Sequence, residues 1–168
     1  MPRITRPDMA GYGVPTDDLE GALPREWAQE RLTECRNYWL VTVSGAGRPH
    51  SMPVWGVWLP DREVFAFSCA PTARKVRNLA ANDQVVVTND DSVNCVSLEG
   101  RARPLEGEAK EAMARAYAAK YVDRDHDRDD MVGFILANTC YEVGPDRAFG
   151  IVETEEDFSR SATKWVWD

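Results

Sequence analysis

The stretch that decides the fold reads Tyr38-Trp-Leu-Val-Thr-Val-Ser44, Gly45-Ala-Gly47, Pro49-His-Ser-Met-Pro-Val-Trp-Gly-Val-Trp-Leu59, Pro60-Asp-Arg62, Glu63-Val-Phe-Ala-Phe-Ser-Cys69. Its runs are rich in β-branched and aromatic residues, and Gly or Pro-Asp turn chemistry separates them. The pattern predicts a three-strand meander, Tyr38 to Ser44, Pro49 to Leu59 and Glu63 to Cys69. Within the middle run, Pro53 forfeits a ladder donor and so belongs at an edge or a bulge, while Gly56 implies close approach of another group. Trp55 and Trp58 are oddly spaced and point to opposite faces: one lines a ligand pocket or subunit interface, or both are packing residues.

Working outward, Pro24 to Cys35 reads as a helix, because Pro suits the first turn and Trp27, Ala28, Arg31, Leu32 and Cys35 recur at helical spacing. Its apolar stripe is expected to cover an open end of the sheet. Residues 1 to 22 are rich in Pro, Gly and charge without a sustained period, and read as an extended arm rather than a packed element, although Tyr12 and Val14 could dock. Downstream, Thr72 is a candidate N-cap for a short helix that closes near Asn82, and strands are expected over Gln84 to Asn89 and Asn94 to Leu105. Glu108 to Tyr121 has an amphipathic helical pattern, Asp123 to Asp130 a charged turn, and Met131 to Leu136 another helical piece. Thr139 to Val143, Ala148 to Glu153 and the tail Ala162 to Asp168 are strand-like.

Short strands with few helices and no regular βαβ alternation argue for a mainly β (α+β) fold: a six- to seven-stranded, mainly antiparallel barrel with a few flanking helices. The 168 residues and 43% hydrophobic content suit one domain, residues 23 to 168, with the arm of residues 1 to 22 appended. Nothing resembles GxGxxG or GxxxxGK[ST] in the strand-to-helix context those motifs need, which disfavours Rossmann or P-loop nucleotide binding. The net charge of -8 argues against nucleic acid or an anionic membrane as partner, so any anionic ligand must meet a local basic patch. Cys35, Cys69, Cys95 and Cys140 form no zinc-ligand spacing, and free thiols are expected. Neither a signal-peptide h-region nor a run long enough to span a bilayer is present, which makes a cytoplasmic location the default expectation.

The stretch richest in chemistry is Ser68-Cys-Ala-Pro-Thr-Ala-Arg-Lys-Val-Arg-Asn-Leu79. A strand end of small residues runs into a helix start carrying Arg74, Lys75 and Arg77. Free first-turn N–H groups and the helix dipole attract phosphate, Lys75 adds a point charge, and Arg74 or Arg77 can fork onto oxygens. Cations at a helix start are unfavourable unless an anion offsets them; the alternative is that the three simply form a solvated face. Asn78 is placed to tie the helix to a neighbouring loop. Catalytic side chains are not evident: His50 and Ser51 sit on opposite faces of a strand, His126 lies in the charged turn, and no carboxylate pair stands out. A phosphate cradle without a nucleophile suggests that a cofactor carries the reaction.

Four segments in this order, Trp39-Leu-Val-Thr-Val, Gly47-Arg-Pro-His-Ser-Met-Pro-Val-Trp-Gly-Val-Trp, Thr72-Ala-Arg-Lys-Val-Arg-Asn-Leu-Ala-Ala-Asn and Val96-Ser-Leu-Glu-Gly-Arg-Ala, resemble the pyridoxamine-phosphate-oxidase-like split-barrel superfamily. The likeness is closest to its flavin/deazaflavin oxidoreductase group B branch. The resemblance implies a six-stranded split barrel that dimerises, with a cofactor in a groove between subunits: the 8-hydroxy-5-deazaflavin coenzyme F-420, or alternatively FMN, with haem or bilin in occasional members. It implies that the phosphate meets Lys75 and the strand end Ser68, Cys69 and Ala70, with Arg74 substituting for a basic residue absent at Ala73. Met52, Pro53 and Val54 would pass under the ring system, with Trp55 beside them and Asn78 behind the anchor. Lys164 and Trp165 occupy a tail motif that would reach the site from the partner subunit. The implied function is hydride transfer between F-420 and a small organic substrate; an FMN oxidoreductase and a non-enzymatic flavin or haem carrier are the alternatives. The substrate-phosphate residues of true pyridoxamine-phosphate oxidases are not matched here.

Overall fold

The computed structural model describes residues 2–122 and 128–167. Its strands are β1 (Arg3–Thr5), β2 (Tyr38–Val43), β3 (Pro49–Val54), β4 (Gly56–Leu59), β5 (Val64–Cys69), β6 (Gln84–Asn89), β7 (Asn94–Pro104), β8 (Thr139–Val152) and β9 (Thr163–Val166). The helices are α1 (Arg25–Glu34), α2 (Arg74–Ala81), α3 (Gly107–Tyr121), α4 (Arg128–Ala137) and α5 (Phe158–Ser161). The nine strands form one antiparallel sheet in the order β1-β9-β8-β7-β6-β2-β3, with the β4–β5 hairpin joined through β5 to β8. This antiparallel, sheet-rich α+β architecture agrees with the expected split barrel.

The strand count differs from the six or seven expected, for local reasons. The run Pro49 to Leu59 breaks at Trp55, where β3 keeps pairing with β2 while β4 pairs with β5 instead. Here the close approach expected at Gly56 is observed: a Cβ there would strike the Phe65 ring and come within 2.8 Å of the Ala66 carbonyl oxygen. Conversely, the two strands expected over residues 139–143 and 148–153 are one. Gly144-Pro145-Asp146 reads as a turn, but a register shift at Glu99/Gly100 absorbs the irregularity. That absorption depends on Gly100, whose missing side chain lets the Gly144 carbonyl lie against its backbone. The first half of β8 pairs with β5 and the second half with β9, so this single strand folds the sheet onto itself.

Residues 1–22 are more than an extended arm. Strand β1 pairs with β9, and Met9 and Val14 are buried in a small cluster with Ala162. What holds this segment is Arg6, only 3% exposed, whose guanidinium donates to the carbonyls of Asp18, Glu20, Ser159, Arg160 and Ala162 at 2.6–3.1 Å. A charged donor satisfied by backbone acceptors was invisible in composition, which shows only a Pro- and charge-rich stretch.

The main core lies inside the barrel, between the inner faces of the strands and helix α1. Ala28 and Leu32 of α1 cover the open end as expected, against Trp58, Ala148 and Trp165. A second cluster sits under α3 and α4, where Met113, Ala114, Tyr117 and Ile135 pack on Val57 and Ala66. The helix expected over 131–136 begins earlier, at Arg128, so Arg128 to Asp130 are helical rather than turn. The rest of that charged turn, with His126, lies outside the described residues.

Candidate functional site

The anchor is built where β5 ends and α2 begins. Ser68 and Cys69 are the last residues of β5, opposite Cys140 and Thr139 of β8, and Ala70 follows them exposed. Helix α2 then starts after Ala73, with no side chain capping it; Thr72, the expected cap, lies one residue too early to bond the first turn. The Val76 amide donates to the Ala73 carbonyl, which leaves the N–H groups of Arg74 and Lys75 for an acceptor from outside the helix. Lys75 lies near the end of β5: burial raises the Cys69 thiol pKa, and the Lys75 charge opposes that rise. Arg74 is exposed beside it, and neither cation forms an ion pair among the described residues. The donor set of two free cations and an uncapped helix start fits a phosphate group.

Asn78 secures this element from behind. It is 4% exposed, and its Nδ2 donates to Oγ1 of Thr42 on β2 at 2.8 Å. The partner is a strand side chain rather than the loop backbone that was expected. Leu79, beside it, is buried in the barrel core, so α2 is pinned to β2 by one polar and one apolar contact.

On the far side of β2 from β6 runs β3, the last strand of the sheet path, with Pro53 on the edge as its missing donor requires. Met52 and Pro53 are exposed, and Val54 turns its side chain into the core, so only its backbone is available to a ligand. At the corner after Val54, Trp55 stacks on Tyr121 at 5.1 Å with ring planes 8° apart, and its Nε1 donates to Asn37 Oδ1 at 3.1 Å. The Gly56 amide donates to the Tyr121 hydroxyl, which locks the corner. Trp58, three residues on, faces the barrel core, so the two tryptophans do point to opposite sides.

The surroundings of Trp55 were not found from sequence. Lys120 Nζ donates to the Tyr38 hydroxyl at 2.6 Å and lies over the Tyr38 and Tyr121 rings. Burial lowers its pKa to about 8. Arg36 lies over the other side of the same neighbourhood, 5.1 Å from the Tyr121 ring centre. The only sequence signal was that Tyr117 and Lys120 share the amphipathic face of α3.

Lys164 and Trp165 separate. Trp165 is 1% exposed inside the barrel, its ring over Gly150, where a Cβ would collide with it. It cannot touch a cofactor held by another subunit; alternation along β9 places it inward, and the expectation is corrected accordingly. Lys164 points to the opposite, outer face, into a groove of about 540 Å³ floored by Val41, Val43, Val86 and Val166. Arg3, Arg101 and Arg147 also line that groove.

Among the described residues, no helix is long and apolar enough to cross a membrane. A search of curated proteins gives no match. Solved structures share the fold. One is a conserved hypothetical protein, Rv2991, of Mycobacterium tuberculosis, with 17% identity over 76% of this chain and 83% of that one and a TM-score of 0.64. Another is HutZ, the haem storage protein of Vibrio cholerae, with 18% identity over 72% and 86% and a TM-score of 0.54. A third is PhzG of Burkholderia lata 383, in complex with tetrahydrophenazine-1-carboxylic acid, with 20% identity over 76% and 74% and a TM-score of 0.50. The pyridoxamine 5'-phosphate oxidase family profile matches residues 24–139, a segment that includes the anchor, the edge strand β3 and the Trp55 corner. With the antiparallel sheet already described, that match establishes that the chain belongs to the pyridoxamine 5'-phosphate oxidase-like split-barrel superfamily.

Proposed function

We propose that the chain is a homodimeric oxidoreductase that transfers hydride between the deazaflavin coenzyme F-420 and a small organic substrate. The observation that carries this reading is the uncapped start of α2, with Lys75 set against the strand end at Cys69 and the helix tied to β2, the strand that pairs with the edge strand β3. Lys75, Arg74 and the first-turn amides would hold the cofactor phosphate, and Met52 to Val54 would support the ring. When bound, the cofactor supplies the hydride chemistry. The chain's own part is positioning and exclusion of water, with Trp55 as a wall of the substrate pocket. A dedicated base is not required, since solvent can protonate a product carbanion.

FMN in the same cradle is the nearest alternative, because a terminal phosphate meets the same donors and the superfamily commonly binds flavins. A carrier reading has a distinct motivation: His50, half-buried on β3, is the plausible axial ligand for haem, and the haem storage protein HutZ shares the fold. Titrating the purified protein separately with F-420, FMN and haemin, following tryptophan fluorescence, tests all three. Saturable F-420 binding with turnover of a reducible substrate supports the proposal. Binding of haemin alone, one per subunit, overturns it in favour of the carrier.

A further inference from the structure

We infer that Arg3, on the N-terminal strand, is a binding residue of the same ligand site and recognises a second anionic group on the ligand, remote from the phosphate held at Lys75. The inference rests on the proposed dimeric reading, in which Lys164 reaches the partner's cofactor.

Four cations, Arg3, Arg101, Arg147 and Lys164, line the outer-face groove together with Glu99 and Asp146. Of its cations, Arg147 is paired with Glu99 at 2.6 Å, and Arg101 with Asp83 at 2.9 Å and with Asp146 at 4.0 Å. Arg3 and Lys164 have no ion pair among the described residues. The β1–β9 register sets Thr5 opposite Lys164 and Arg3 opposite Val166, so Arg3 and Lys164 are diagonal neighbours on the same face. Like charges so placed repel. In a chain of net charge -8, with acidic residues abundant, two uncompensated cations above a valine floor mark a place for an anion brought from outside.

Arg3 is also held in place. Arg6, immediately beyond β1, is clamped by five backbone carbonyls from two other segments, which fixes the strand on which Arg3 stands. The groove and the phosphate anchor lie on opposite faces of β2: Thr42 turns inward to Asn78 of α2, whereas Val41 and Val43 line the groove. One ligand touches both only when a second copy presents its groove to the first copy's anchor. Such a ligand carries two separated anionic groups, as F-420 does with its phosphodiester and side-chain carboxylates, and as FMN with its single phosphate does not.

The test is parallel titration of the full-length wild type, Arg3→Gln and Arg3→Lys with F-420 and with FMN, with thermal unfolding run alongside. The expected result is that Arg3→Gln weakens F-420 binding by about tenfold, the loss of one charge-assisted bond, while Arg3→Lys restores most of it and FMN affinity changes less than twofold. Unchanged F-420 affinity in Arg3→Gln, or equal losses for both cofactors, overturns the inference and leaves the proposed function standing. If the wild type binds neither cofactor, the proposed function falls and the inference falls with it.

Discussion

Two tryptophan-bearing regions of one sheet have opposite fates. At the closed end of the barrel, Trp58 and Trp165 are 5% and 1% exposed, covered by α1 and accommodated by Gly150. Toward the free edge, Trp39 on β2, Met52 on β3 and Trp55 after it are 47%, 45% and 51% exposed. The residue types are the same; what differs is the face each strand presents and whether an element lies over it. Lone exposed apolar residues need no explanation; here the β2–β3 pair carries them on both faces, Trp39 beside Pro53 on one and Met52 beside Leu40 on the other. The closed end serves stability, and the open edge is the part of the sheet where the proposed ligand would lie.

The largest effect on that contrast is expected at the closed end. Trp165→Ala removes a fully buried ring and is expected to cost about 3–5 kcal/mol in urea unfolding, while the same change at Trp55 costs under about 1 kcal/mol and weakens ligand binding instead. Equal losses at both positions would erase the distinction. Next comes Gly56→Ala at the corner joining the two regions. The added methyl has to displace the Phe65 ring, at an expected cost of about 1–3 kcal/mol. A variant of unchanged melting temperature would show that the corner is not tightly packed.

A smaller effect concerns Lys120, under the Trp55 shelf. Burial depresses its pKa from the ordinary 10.5 to about 8, so the unfolded chain binds this proton more tightly than the folded one. The group therefore makes the fold more stable as pH rises from about 8 to 10.5, and that gain is absent below the folded value. The amine is only half-buried, so water screens the effect to on the order of 1 kcal/mol. The buried Cys140 and the partly buried Cys35, Cys69 and Cys95, whose thiol pKa values burial raises, act in the opposite direction above their ordinary range. The measurement is thus a difference, wild type against Lys120→Met across this range, and parallel stability curves would contradict the assigned burial.

Much of this was legible in the sequence because strand period and turn chemistry are local. The meander, the helix over the barrel end and strand β6 at Gln84–Asn89 follow from patterning alone. The long β8 did not, because Gly144-Pro145-Asp146 carries turn chemistry that the strand takes up as a bulge at Asp146 against Glu99 and Gly100 of β7, some forty residues away in sequence. Within the site, Lys75 and Asn78 were readable from charge and from position beside Leu79. Trp165 was not: a motif names neighbours in sequence without saying that alternation sends Lys164 and Trp165 to opposite faces. The Arg6 clamp was hidden for a similar reason, since its acceptors are backbone carbonyls, which composition does not record.

The central claim is that the start of α2 holds a phosphorylated flavin-type cofactor, and Lys75→Ala tests it most directly. Removing one charge-assisted hydrogen bond, worth about 1.5–3 kcal/mol, is expected to weaken binding of F-420 or FMN by at least about tenfold, with the circular dichroism and melting temperature unchanged. Wild-type affinity in the folded variant would contradict the account.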